Sequence, residues 1–128
     1  KIKQHEEPKP LYHRLERFYI ERVEKFVKRT PEKIPVTIQA FSIGDLAISG
    51  IPFEVFAEAG LELKAKSPFK KSFTIGLANG YWGYLPTRKQ HHLGGYESWI
   101  TANKVEIDAS EQINDKVLAL FNTLKKNE

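Results

Sequence analysis

Residues 44–54 read Gly44-Asp45-Leu46-Ala47-Ile48-Ser49-Gly50-Ile51-Pro52-Phe53-Glu54. Gly44-Asp45 is a turn signal, and upstream of it Val36, Ile38 and Ala40 alternate with Thr37, Gln39 and Phe41. The alternation and the turn together predict a β-hairpin closed by two residues, with Leu46 to Ile51 as its second strand. Pro52 lacks the N–H that the first turn of a helix leaves unpaired anyway, so a helix is predicted directly after the strand. Phe53, Phe56, Ala57, Gly60 and Leu61 supply its apolar stripe, which runs toward Ser67-Pro68. Phe73 to Leu77 is an apolar run of strand length. Strand 46–51, helix 52–66 and strand 73–77 then form a right-handed βαβ unit. The fold class is α/β: a mixed sheet with a β-hairpin and a βαβ unit, plus flanking amphipathic helices.

Those helices lie at the two ends. Residues 1–10, rich in Lys and Glu with Pro8 and Pro10, form an exposed lead-in. Tyr12, Leu15, Tyr19, Val23 and Phe26 recur at three- and four-residue steps and predict an amphipathic helix that Thr30-Pro31 ends. Near the C-terminus, Asp108 with Glu111 has the spacing of a capping box, and Ile113, Val117, Leu120, Phe121 and Leu124 form the stripe of a last helix. Residues 11–128 are expected to fold as a single α/β unit.

Composition supports a globular chain. Of 128 residues 41% are hydrophobic and 28% charged, with both signs mixed, which suits one modest core and not a disordered tail. The net charge of +4 is spread over isolated pairs such as Lys28-Arg29, Lys70-Lys71 and Lys125-Lys126, so no nucleic-acid partner is expected. There is no cysteine, hence no disulfide and no thiolate chemistry. No apolar run reaches the length of a transmembrane segment. The chain contains no methionine, as expected of a piece of a longer polypeptide.

In open α/β sheets ligands gather at the carboxyl ends of strands, which directs attention to the residues after Ile51 and after Leu77. Glu54 follows the first end. In the first turn of a helix its carboxylate would be held ionised, either to complement the helix N-terminus or to ligate a metal, and on the residues alone the first reading is the better one. After the second end comes Ala78-Asn79-Gly80-Tyr81-Trp82-Gly83-Tyr84-Leu85-Pro86-Thr87, a Gly-rich aromatic loop. Its tyrosines and Trp82 either close over the core or bind something. His91-His92 are adjacent, do not fit zinc spacings, and read as surface residues. No HExxH, GxSxG, P-loop or GxGxxG pattern occurs.

At these two strand ends the sequence resembles the neutral, non-lysosomal ceramidases. Residues 44–54 resemble that family's strand and helix start with its Pro-Gly-Glu motif, residues 78–87 its Asn-x-Tyr-x-x-Tyr loop, and Gly95-Tyr96-Glu97 its downstream Tyr-Glu. The likeness runs in order over most of residues 36–121. It implies that Glu54 and Tyr84 are zinc ligands and that Tyr96 assists at the scissile carbonyl. It implies further that the chain is the C-terminal part of a larger catalytic domain, whose remainder is its partner and whose substrate is the N-acyl amide of ceramide or a related lipid. Export from a bacterium is expected on the same ground. The sequence departs from the family at Phe53, where the family has Gly, and at Val55-Phe56, which replace a small polar pair. The family's two zinc-binding histidines and its serine and arginine have no match here, and His5, His13, His91 and His92 do not fill their places. By itself the chain is therefore expected to be inactive. The alternatives are a non-catalytic interaction module, docking through its helical stripes, and an inactive homologue of the same fold.

Overall fold

The computed structural model describes residues 14–29 and 31–127, with side chains from residue 17 onward. The chain divides into two units, residues 1–34 and 35–128. Tyr12, Thr30 and the lead-in 1–10 lie outside the described residues.

Of the first unit the structure describes one helix, α1 (Arg14–Arg29). It closes on Lys28 and Arg29, whose positive charges complement the carboxyl end of the helix dipole. Along its surface Arg17 pairs with Glu21 at 3.3 Å, and the Arg22 guanidinium lies 5.8 Å from the centre of the Phe18 ring.

The second unit begins with the hairpin expected from the alternation. Strand β1 (Gln39–Ile43) turns at Gly44-Asp45 into β2 (Leu46–Ile51), antiparallel, with Phe41 opposite Ile48 and Ile43 opposite Leu46. Gly44 has φ +50°, a left-handed turn conformation that a residue without Cβ adopts freely. Helix α2 (Ala57–Lys66) then crosses to β4 (Lys71–Gly76), which lies parallel to β2 with Ile48 opposite Phe73. The resulting sheet, ordered β1-β2-β4, is mixed, and the βαβ connection holds.

Helix α2 differs from its expectation at both its start and its face. It begins at Ala57 and not at Pro52, with Phe56 as an N-cap whose side chain makes no capping bond. Pro52 and Phe53 are instead buried, and Glu54–Val55 form a short strand, β3. The helix buries Ala59 and Leu63, whereas Leu61 of the expected stripe is 64% exposed.

The remaining elements are β5 (Tyr84–Leu85), α3 (Arg88–Leu93), a 3₁₀ turn at Tyr96–Ser98 and α4 (Ala109–Lys126). Helix α4 keeps its expected stripe, burying Ile113, Val117 and Phe121 with Ala109, while Leu124 packs at the core margin and Leu120 stays exposed. Its expected capping box does not form, since the Asp108 side chain makes no cap bond. Both carboxylates turn to Arg88 on α3 instead: Asp108 pairs with its guanidinium, and Glu111 lies 3.4 Å from its Nε. A charged guanidinium in reach of two carboxylates outcompetes a backbone N–H for them.

The core sits on one face of the sheet. Ala47 and Ile51 of β2 meet Leu63 of α2, Ile113, Val117 and Phe121 of α4, and Phe53, Phe69 and Leu85 from the connections. Phe69 and Phe121 cross edge to face at 6.0 Å. Each such large side chain, once buried, stabilises the fold by roughly 1.5–3 kcal/mol. On the inward face Ser49 Oγ and Thr74 Oγ1 pair across strands at 3.0 Å. The opposite face carries Phe41, Ile48 and Phe73 in one row across three strands. Phe41 and Phe73 there are 52% and 49% exposed, and Ile43, Ile75 and Leu77 are similarly open.

Candidate functional site

At the carboxyl end of β2 the chain is laced to the segment that follows β4. Ala78 N–H donates to the Ile51 carbonyl at 3.1 Å, Trp82 N–H to that of Pro52 at 3.0 Å, and Leu77 N–H to that of Phe53 at 3.0 Å. Glu54 N–H returns a bond to the Gly83 carbonyl at 2.9 Å. This lacing is why Glu54 is extended and not helical: its backbone is taken up by a neighbouring segment before a helix can start.

Strands β3 and β5 pair in parallel, with Glu54 opposite Tyr84 and Val55 opposite Leu85. Residues in register on adjacent strands project their side chains to the same face, so the carboxylate and the phenol stand side by side. The neighbouring Glu54, as a hydrogen-bond acceptor and then by its negative charge, together with desolvation, holds the Tyr84 phenol above its ordinary pKa. The Tyr81 pKa is likewise raised, chiefly by desolvation and then by the influence of Glu54. Tyr96 packs edge to face on Tyr84 at 6.0 Å, and Trp99 on Tyr96 at 5.9 Å. The Lys104 ammonium sits 5.5 Å from the centre of the Tyr81 ring. The structure thus brings Glu54, Tyr84 and Tyr96, all expected at the site, into one cluster, and adds Tyr81, Trp99 and Lys104. Tyr81 was visible in the sequence as a member of an aromatic loop; Trp99 and Lys104 had no signal of their own.

The histidines stand elsewhere. His91 and His92 lie on α3, and His91 Nε2 is 3.1 Å from Asn103 Nδ2. An amide nitrogen only donates, so Nε2 accepts and the imidazole is neutral with its proton on Nδ1. Burial, then the neighbouring His92, lower the His91 pKa, against a weaker opposing pull from Asp108. A folded-state pKa below the unfolded one means that the stability held by neutral His91 is present above the unfolded value and is lost as pH falls through the folded one. The denaturation midpoint should therefore decline as pH drops below about 6.5. His91→Gln, which keeps an acceptor for Asn103, should flatten that decline; an equally steep decline in the variant would remove His91 from its cause.

Among the described residues there is no group of three or more His, Cys, Asp and Glu able to hold a metal ion. What the cluster offers a cation is one carboxylate and one phenol oxygen, both donor types that zinc accepts, with further donors required to complete four-coordination. The residues fit part of a zinc site.

The carboxylate and the phenols thus gather at strand ends of a mixed α/β unit. Among solved structures, the chain is similar to neutral ceramidase from Pseudomonas aeruginosa, with a TM-score of 0.51 and 26% identity over 68% of this chain. The match spans 15% of that chain, so the likeness concerns a small part of the ceramidase. The fold is ceramidase-like over the matched part. No family model matches the sequence, and no curated protein matches it significantly.

Proposed function

We propose that this chain supplies one side of the active site of a zinc-dependent amidase of ceramidase type, which hydrolyses the N-acyl amide of ceramide or a related lipid. The observation that carries the reading is the register of Glu54 with Tyr84 at paired strand ends, with Tyr96 packed against Tyr84. The ceramidase-like fold supports it, and so does the open apolar sheet face, which suits a unit seated within a larger catalytic domain.

In this reading Glu54 and Tyr84 are the zinc ligands, and the remaining donors come from chain beyond these 128 residues. Zinc bound there would supply Lewis acidity at the amide carbonyl and a nucleophile at neutral pH. Glu54 and Tyr84, on paired backbone, fix where the cation sits. Tyr96 directs its O–H at the carbonyl oxygen and stabilises the charge that develops there as water adds and the C–N bond breaks. Its ring is held by Tyr84 on one side and Trp99 on the other. Water is consumed and a fatty acid and a sphingoid amine leave. Phe53, buried and next to Glu54 in sequence, and Val55-Phe56 bear on which lipid fits. Export of the protein from a bacterium belongs to the same proposal.

The test is hydrolysis of an N-acylsphingosine by the complete native polypeptide. Activity should be abolished by a zinc chelator, restored by zinc, and reduced by Tyr84→Phe, while the 128 residues alone should show none. Full activity after chelation or in Tyr84→Phe would refute the reading. Absence of activity with zinc present would favour the non-catalytic interaction module.

A further inference from the structure

The turn at residues 99–105 carries Trp99 and braces β5, and one buried amide closes it. Thr101 has φ +86°, an outlier for a β-branched residue, and such a conformation persists only where its surroundings hold it. The Trp99 carbonyl accepts from Ala102 N–H at 3.1 Å and from Asn103 N–H at 2.9 Å, and Thr101 N–H donates to the Asn103 carbonyl at 3.2 Å. From this turn the Ala102 carbonyl accepts from Tyr84 N–H at 3.0 Å. Trp99 packs on Tyr96 and Tyr96 on Tyr84, so the turn meets β5 through rings as well as through backbone. Asn103, 6% exposed, ties the turn to α3. Its Oδ1 accepts from Val105 N–H at 2.9 Å, and its Nδ2 lies 3.1 Å from His91 Nε2. Helix α3 is itself anchored, by Gln90 to Glu58 of α2 and by Arg88 to Asp108 and Glu111 around the start of α4.

The orientation of the Asn103 amide is dictated by its partners. A backbone N–H only donates, so the atom facing Val105 is the oxygen and the atom facing His91 is the NH2, which leaves His91 Nε2 as the acceptor. A protonated imidazole donates from both nitrogens and would set N–H against N–H. Turning the amide over only moves the same conflict to Val105. We propose that Asn103 is a positioning residue for the corner formed by Tyr84, Tyr96 and Trp99, and that its bond to His91 is a latch that closes only on a neutral imidazole. Acidification through the histidine range opens the latch, lets the strain at Thr101 relax and loosens the turn from Tyr84. The charged groups acting on His91 are His92 on the same helix and Asp108 ahead of α4. Burial and His92 favour the neutral ring against the pull of Asp108, which Arg88 already pairs. The latch is a property of these side chains and does not depend on a bound metal.

The experiment is hydrogen exchange read by mass spectrometry on the complete native polypeptide, at about pH 7.5 and about pH 5.5, with each rate corrected for the intrinsic dependence of exchange on pH. Protection of the peptides that hold Tyr84 and residues 101–105 should fall about tenfold at the lower pH, the size expected when one hydrogen bond is lost and its buried partners stay unsatisfied. Protection of residues 113–121 of α4 should change much less. In His91→Gln, whose side-chain oxygen accepts at either pH, the fall should vanish. Asn103→Asp keeps an oxygen for Val105 N–H and sets a second one against His91, which raises the folded pKa of the ring. The latch is then held below the unfolded pKa and lost only as pH rises through the folded one, so the fall at low pH should disappear there too. Equal protection of Tyr84 at the two pH values in the native protein, or a fall that persists undiminished in either variant, would overturn the proposal.

Discussion

Glu54→Ala in the complete polypeptide should remove the metal and the activity together. The variant deletes one of two oxygen donors held on paired backbone, and the survivor, Tyr84, is a phenol that binds a cation well only when it gives up its proton. The loss in zinc affinity should therefore exceed the ~10–100-fold expected for an outer-shell partner. Hydrolysis should fall by at least ~10³-fold, since a metal-generated nucleophile and Lewis acid disappear at once. Folding should survive: Glu54 is half-buried, makes its strand contacts through its backbone N–H, and no shell of core side chains depends on its carboxylate. Zinc content and rate, measured on one preparation that retains its denaturation midpoint, separate loss of a ligand from loss of fold. Retained zinc with retained activity would place the chemistry elsewhere.

Gly83→Ala should do the opposite and damage the fold. At φ +89° a Cβ is strained at once, and it would stand 2.2 Å from the Ala102 carbonyl oxygen and 3.3 Å from its carbon. That oxygen is not free to withdraw, because it accepts from Tyr84 N–H at 3.0 Å; nor can Gly83 itself move away, because its own carbonyl holds Glu54 N–H at 2.9 Å. The left-handed conformation costs about 1–2 kcal/mol, and overpacking a fixed neighbour about 1–3 kcal/mol more. A loss of about 3–5 kcal/mol is a large share of the 5–15 kcal/mol that holds a typical domain together. Chemical denaturation should show it, and zinc binding should be lost as well, since the two strands that align Glu54 with Tyr84 part at this residue. A loss below about 1 kcal/mol would mean that the β3–β5 junction yields easily.

What the sequence disclosed and what it hid follow from the range of the forces involved. The hairpin was legible because alternation and a Gly-Asp turn are local, and β4 because its apolar run stands isolated. Helix α4 was legible from its stripe. The start of α2 was not: Pro52 looks like a first helical residue, and Phe56, the actual cap, makes no side-chain bond that would have marked it. What decides the matter is the lacing of residues 51–54 to residues 77–83, about 25 residues away, which no local pattern encodes. Asp108 and Glu111 had capping-box spacing but yielded to Arg88, roughly 20 residues distant. Glu54, Tyr84 and Tyr96 were named from an ordered resemblance of three short motifs, and they meet in space although Glu54 lies in a strand and not on a helix. Tyr81 was ambiguous in the sequence because an aromatic in a Gly-rich loop has two common uses.

The central claim is that Glu54 and Tyr84 hold a zinc ion between them, and zinc stoichiometry of the complete native polypeptide tests it most directly, measured beside the Glu54→Ala, Tyr84→Phe double variant. One zinc per chain in the native protein and none in the folded double variant is the expected result. Zinc absent from the native protein, or present in equal amount in the double variant, would contradict it.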